Sequence, residues 1–359
     1  MAVERAIELQ EQSRALQAKG KLDEASRACR EALELMENAE GTDSPDVANL
    51  LNDLADIEQE RENLTEALAL TERAGSIEDA LGERFTGNDA ARIRIRTRSI
   101  AGEILRIQGD YAQAECDLEQ ALAISVAAFG EASEEAAEAR NNLGVLYKYL
   151  GRFEEGLKLY SQALRPIIAI HGHTSLATAT LYHNIGGILH ARGDFAAAEA
   201  PARWAWEISR QLLGEDDPRT MLDATACAGV LDGLERYDQS EPIYRRALGI
   251  FEQAYGRDHY EVAATLHNLA AVLAARGQCQ EAEACYRRAL AIKEELLGAA
   301  SPDVALTRNN LGKLLSGMRR SAEAVPLLEA AVAVLEARLL PSHSHLAIAR
   351  ENLRNASRS

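Results

Sequence analysis

The stretch EVAATLHNLAAVLAARGQCQEAEACYRRALAIKEELL (261–297) contains one complete repeat of the chain and decides its fold. Its first half, 261–275, places Leu266, Leu269, Val272 and Leu273 at helical spacing, which makes one apolar stripe. Arg276-Gly277 then interrupts the pattern, and a glycine there supplies the left-handed residue that ends a helix. From about 279 to 297 a second stripe follows, carried by Ala282, Tyr286, Ala289, Leu290 and Ile292. The reading is two helices joined by a tight turn.

The same hairpin recurs along the chain. The second-helix segments LDEASRACREAL (22–33), LTEALALTERAG (64–75), YAQAECDLEQAL (111–122) and FEEGLKLYSQAL (153–164) align with FAAAEAPARWAW (195–206), YDQSEPIYRRAL (237–248), CQEAEACYRRAL (279–290) and SAEAVPLLEAAV (321–332). Their fourth residues are Ala25, Ala67, Ala114, Gly156, Ala198, Ser240, Ala282 and Ala324, at steps of 42 except for one of 47. Their eleventh residues are all alanine: Ala32, Ala74, Ala121, Ala163, Ala205, Ala247, Ala289 and Ala331. Antiparallel helices approach closely only where the crossing point lacks bulk, so these positions mark helix crossings. A fixed period of this length means a stacked array in which no unit buries its apolar face alone.

Turn and cap signals agree with this division. Gly109, Gly151, Gly193 and Gly277 end first helices, while Glu62, Glu235 and Arg319 stand in that place in three other repeats. Ser44-Pro45, Asp217-Pro218 and Ser301-Pro302 set a capping side chain before a proline at the first helical position. Tyr111, Phe153, Phe195 and Tyr237 follow the turns and are read as core between repeats. The long step leaves an irregular insertion loop at 82–89. HLAIARENL (345–353) repeats a first helix without its partner, Asn352 lying 42 residues after Asn310. The expected organisation is therefore two acidic repeats in 1–81, the insertion loop 82–89, six repeats in 90–343, and a C-terminal capping helix and tail in 344–359.

Composition limits what such an array does. Of 359 residues, 47% are hydrophobic and 26% charged, the balance of a folded rather than disordered chain. No run of about 18 apolar residues occurs, and the segment Met1–Gln12 lacks a basic start and apolar stretch, so the expected location is the cytoplasm. The net charge of −17 argues against nucleic acid and anionic membranes as partners. Residues 1–87 hold 21 acids and 9 bases, so −12 of that charge is N-terminal. A solvated surface accounts for it, or a basic partner at that end.

Several phrases are shared with a known family. LHNLA (266–270), RNNLG (140–144 and 308–312), YRRAL (244–248 and 286–290) and LG followed by SPDVA (297–305) resemble the tetratricopeptide repeat of the kinesin-light-chain type. The resemblance covers residues 1–355. It implies an all-α, right-handed α-solenoid of about eight helix-turn-helix units whose first helices line a concave face where peptides bind. The Ala- and Arg-rich wording resembles that of a bacterial member.

Two sets of residues fall on that face. The pairs before the central Leu-Gly or Leu-Ala of the first helices include Asn52-Asp53, Ser99-Ile100, Asn141-Asn142, His183-Asn184, Thr225-Ala226, His267-Asn268 and Asn309-Asn310. An asparagine both donates and accepts, so a row of them can hold an extended peptide backbone. The alternative is that they bond across to neighbouring helices and specify the stacking, and Ala226 interrupts the row. The second set is basic: Arg92, Arg96 and Arg106 share a helical face with Ser99 and Glu103, and Lys148 follows one repeat later. A basic wall favours an acidic segment, a phosphate or a free carboxylate; alternatively these arginines pair with the acidic N-terminal repeats.

No catalytic or cofactor chemistry is indicated. His183 and His190 are seven apart, the wrong spacing for a helical zinc pair, and HGH (171–173) and HSH (343–345) fall in loops without other ligands. Cys29, Cys116, Cys227, Cys279 and Cys285 are odd in number with no C-x-x-C pair, and are read as small apolar residues inside helices. There is no phosphate loop and no nucleophile elbow. The expectation is a non-catalytic adaptor without metal or cofactor that binds a segment of a partner protein. Its competitors are a sensor switched by a short peptide or small ligand, and an accessory subunit of an enzyme.

Overall fold

The computed structural model describes residues 2–338 and 344–358, in which there are seventeen α-helices and no strand. They pair as α1 (Ala2–Gln17) with α2 (Leu22–Glu40), α3 (Pro45–Glu60) with α4 (Leu64–Leu81), α5 (Gly87–Gln108) with α6 (Tyr111–Phe129), and α7 (Glu134–Tyr149) with α8 (Phe153–His171). The next pairs are α9 (Leu176–Arg192) with α10 (Phe195–Leu213), α11 (Pro218–Gly233) with α12 (Tyr237–Tyr255), α13 (Tyr260–Ala275) with α14 (Cys279–Leu297), and α15 (Pro302–Gly317) with α16 (Ser321–Arg338). An unpaired first helix, α17 (Ser344–Ala356), completes the described chain. Two compact units divide it, Met1–His173 and Thr174–Ser359, and each has its own core. The expected boundary at 343 and His343 of the second His pair lie outside the described residues.

Each hairpin closes on its small residues. Ala25, Ala67, Ala114, Ala198, Ala282 and Ala324 are fully buried, as are all but one of the eleventh-position alanines, Ala205 being 1% exposed. A second crossing position lies on the first helix, in the Leu-Gly phrase. A Cβ on Gly102 would fall 2.6 Å from Leu118, on Gly144 2.7 Å from the Tyr160 ring, and on Gly312 2.6 Å from Leu328. Glycine there lets a bulky second-helix side chain cross directly over the first-helix backbone.

The turns follow their sequence signals, including the costly ones. Glu62, Glu235 and Arg319 adopt φ of 64°, 57° and 61°, the left-handed conformation that glycine takes in the other repeats. The Ser44 hydroxyl accepts from the Val47 amide, Asp217 from Arg219 and Ser301 from Asp303, each just before a proline. The insertion is more ordered than a loop. A 3-10 turn spans Gly82–Arg84, Phe85 is buried with the Arg94 guanidinium 5.1 Å above its ring, and α5 starts at Gly87. Burying one aromatic is sufficient to fix so short a segment. Nearby, a polar cleft of about 400 Å³ opens between α4 and α6 over α5, with Arg98 and Asp117 paired at 3.1 Å in its wall.

The YRRAL phrase is explained by the stacking of second helices. Its first arginine pairs forward with a glutamate 36 residues on: Arg245 with Glu281 and Arg287 with Glu323, as Arg30 does with Glu66. Its second pairs backward in Arg288–Glu252, as Arg73 does with Glu37. RNNLG begins with a similar brace, Arg140 to Glu131 and Arg308 to Glu294, which ties a first helix to the segment before it. Such partly exposed pairs contribute little singly and set register rather than stability.

Candidate functional site

In the N-terminal unit, the face carried by α5 and α7 brings three of the expected residues together. Arg92, Arg96 and Asn142 line a cleft of about 390 Å³ with Ile95, Ser99 and the glutamates Glu134, Glu135 and Glu138. Neither arginine stands alone. Arg96 reaches back to α3, donating to Asp53 at 2.5 Å and to Asp56, so it pairs with the acidic N-terminal repeats. Arg92 donates to Glu135 at 3.1 Å, lies 3.5 Å from Asp89, and packs over the Phe129 ring at 5.0 Å. Burial, with Glu134 and Glu135 close by, raises the Glu138 carboxyl above its ordinary range. The cleft is thus of mixed charge, with the carboxylates mostly on its α7 side. Asn142 accepts a long 3.3 Å bond from Asn141 and is otherwise open to the cleft.

Arg106 and Lys148 form a separate cluster at the C-terminal ends of the same two helices. Both sit over the ring of Tyr149, at 4.7 Å and 5.2 Å. Arg106 approaches Glu103 only to 3.7 Å, and Lys148 makes no ion pair among the described residues. Here the basic charge is paired less closely than at Arg96, which contacts both Asp53 and Asp56.

In the C-terminal unit the polar row is largely tied up between helices. Asn352 donates to Asn309 at 2.9 Å, Asn309 to Asn310 at 3.1 Å, and Asn310 to His267 Nε2 at 3.1 Å. His267 Nδ1 lies 3.0 Å from the Thr307 hydroxyl, which itself donates to the Asp303 carbonyl. That hydroxyl must therefore accept, so the imidazole carries its proton on Nδ1 and receives Asn310 at Nε2. Burial, assisted by the Lys293 charge, lowers the His267 pKa to about 4 and keeps the ring neutral. The chain crosses from α17 through α15 to α13. Asn268, next to His267, is exposed, and its side chain makes no hydrogen bond among the described residues.

The link from His267 is a repeated device. His183 Nδ1 meets Asp223 at 2.7 Å, again 40 residues on, and Asp223 also accepts from Ser209. Asn52 donates to Thr97 at 2.8 Å over 45 residues, which is 40 once the five inserted residues are removed. Asn184 sits half-buried beside His183 on α9. Sequence reasoning found the first member of each link and missed the second. The signal available was a polar residue on the next first helix at a constant offset. Tyr149 was missed as well, since a lone aromatic follows no period.

In each unit, stacked helix hairpins with polar first-helix faces define a helical repeat protein. The family model of the tetratricopeptide repeat matches residues 4–75, 94–165, 135–211, 220–295 and 261–337, and the chain belongs to that family. A curated relative, a clustered mitochondria protein homolog from Mycosarcoma maydis, is 30% identical over 78 residues, which are 22% of this chain and 6% of that protein's length. The solved structure of a Rap protein complexed with Competence and Sporulation Factor aligns at TM-score 0.61 and 16% identity, over 99% of this chain and 98% of that one. The apo quorum sensor NprR from B. thuringiensis aligns at TM-score 0.64 and 13% identity, covering 92% and 87%. The repeats of a putative kinesin light chain from Podosopora anserina align at TM-score 0.48 and 18% identity, covering 57% and 97%. Among the described residues no helix is long and apolar enough to cross a membrane, and no three His, Cys, Asp or Glu side chains are arranged to hold a metal ion.

Proposed function

We propose that this chain is a non-catalytic cytoplasmic adaptor that holds a segment of a partner protein, or a peptide, against the first helices of its N-terminal unit. The observation that carries this reading is the cleft between α5 and α7, where Arg92, Ser99 and Asn142 converge on one open space. Its walls offer donors and acceptors a few ångströms apart, the requirement for holding an extended backbone with charged side chains on either side. Asn142 keeps hydrogen-bonding capacity for such a backbone, and exposed Asn268 offers the same in the C-terminal unit. A sensor that responds to a short peptide is the second reading. It is supported by the shared fold of the Rap protein solved with its factor and of the quorum sensor NprR.

The test is capture by the intact chain followed by cross-linking and mass spectrometry. Captured partners should cross-link to residues on α5 and α7, and Arg92→Gln with Asn142→Ala should release them with little change in melting temperature. Cross-links confined to second helices would overturn the reading.

A further inference from the structure

We propose that the cleft between the second helices α6 and α8 binds a small amphiphilic acid, with the carboxylate on Arg140 and the alkyl tail along α6. The cleft shares no residue with the one between α5 and α7, so the two sites are tested independently. It measures about 570 Å³, within the roughly 300–1,000 Å³ of small-molecule sites. Leu122, Ala123, Val126 and Ala127 fall at helical spacing and form its α6 wall, which Leu143 of α7 extends. Ala123 and Ala127 are exposed and Leu122 and Val126 only half-buried, so this apolar strip is left partly to solvent.

A buried cation stands at one end of that strip. Arg140 is 5% exposed, and a charge so placed needs an anion beside it. Its partner is Glu131, whose carbonyl accepts from Nη1 at 2.7 Å and whose carboxylate accepts from Nη2. Nε makes no hydrogen bond among the described residues. Glu131 holds this place loosely, because its side chain is 74% exposed and water competes for it. A ligand carboxylate that replaces it leaves the charge balance unchanged. The ligand adds what Glu131 lacks, an apolar tail to cover the α6 wall.

The other repeats show what this one has given up. Arginine occupies the same first-helix place in Arg98, Arg140 and Arg308. The aligned residue on the preceding second helix is Asp79 for the first and Glu294 for the third, but Val126 here. Glu294 accepts from Arg308 at 2.7 Å, and Arg98, in the polar cleft that Asp79 also lines, pairs with Asp117 at 3.1 Å. In the repeat after α8, Tyr182 takes the arginine's place and Trp204 that of Gln162, their rings 5.0 Å apart. Of these four versions, only the cleft at α6 and α8 joins a buried arginine to an apolar wall.

The arrangement also sets the ligand's direction and length. Glu131 follows directly on α6, so its bonds place the Arg140 guanidinium at the C-terminal end of that helix. The tail then runs back along Val126 and Leu122 towards Glu119. Glu119 precedes Val126 by about 10 Å of helix, a reach matched by an extended acid of about eight carbons. Glu119 is exposed and acidic, and its charge disfavours a second acid group at the far end of the ligand. The chemistry is therefore that of a monoacid.

The test is calorimetric titration of the full chain with octanoate, octan-1-ol and octylamine. Octanoate should bind saturably at one site. The alcohol and the amine should bind roughly tenfold more weakly or worse, because they lack the charge-assisted bonds to Arg140. Hexanoate should lose about two- to fourfold in affinity for each methylene removed. Two variants then locate the site. Val126→Glu writes the Arg308–Glu294 pair into this repeat and should cut octanoate affinity by roughly tenfold or more while the melting temperature holds or rises. Glu131→Gln removes the resident carboxylate and should tighten octanoate several-fold, which a purely structural brace would not do. If Val126→Glu melts early, the Glu131→Gln comparison decides alone. Binding that does not saturate, equal affinity for octanoate and octan-1-ol, undiminished binding in a folded Val126→Glu, or unchanged or weaker binding in Glu131→Gln overturns the site.

Discussion

Replacing Asn310 by alanine breaks the polar chain between α17, α15 and α13 at its middle. Two hydrogen bonds go, the one donated to His267 Nε2 and the one accepted from Asn309, both 3.1 Å long. Each is worth about 0.5–1.5 kcal/mol net. Asn309 is only 4% exposed, so its amide loses an acceptor in a place water reaches poorly. An unsatisfied donor in such a place adds roughly 1–3 kcal/mol. The total expected loss is about 2–6 kcal/mol, in the C-terminal unit. Asn142→Ala is the control, because that side chain accepts only a 3.3 Å bond and faces the α5–α7 cleft. It should cost less than about 1 kcal/mol. Urea denaturation of both variants, followed by helix circular dichroism, gives the comparison. Equal losses, or a loss below about 0.5 kcal/mol for Asn310→Ala, would refute the assignment of one asparagine to stacking and the other to binding.

The same chain has a pH signature. His267 titrates near 4 in the folded protein, below its ordinary value of 6.5, because burial and the Lys293 charge oppose protonation. The unfolded chain therefore takes up the proton first. This contribution is fully present above pH 6.5 and is lost as the pH falls from 6.5 towards 4, by about 3 kcal/mol at most. His267→Gln should be less sensitive to acidification across that window than the wild type; an identical pH dependence would remove the ring from the account.

Other expectations test packing and thiol chemistry. Gly233→Ala would set a Cβ 2.3 Å from the Phe195 ring and should cost about 1–3 kcal/mol, whereas Gly187→Ala meets nothing within 4 Å and should gain about 0.5–1 kcal/mol from helix propensity. Thermal melting that ranked the two in the opposite order would contradict the packing at α10 and α11. Burial pushes the Cys29 thiol up to about 12 and the Cys227 thiol to about 11, while Cys116 is exposed. An alkylating reagent should label Cys116 in the native protein and reach Cys29 and Cys227 only after unfolding, as peptide mapping would show.

The fold was legible because its determinants repeat on a single chain. A residue such as Ala289 is one alanine among many until seven others stand at the same place in their hairpins, and the reason is steric: only a small side chain fits a helix crossing. The same logic located the left-handed turns at Glu62, Glu235 and Arg319, since a position aligned with glycines inherits their backbone even when the residue resists it. The site was legible only in part. Alignment put Asn142 and Asn310 in one row, because both occupy the same place on a first helix. What each does depends on what stands across from it, and that differs. Asn310 faces His267 and becomes a link in a ladder, while Asn142 faces a cleft. Arg96 and Lys148 diverge for the same reason: α3 offers Asp53 and Asp56 to the first, and among the described residues no carboxylate pairs with the second. Periodicity therefore identifies what the repeats share, which is how they stack. Where a repeat departs from its siblings, as Lys148 does from Asp232 two repeats on, the departure acquires meaning only when the structure shows what faces each side chain, as the Tyr244 hydroxyl faces Asp232.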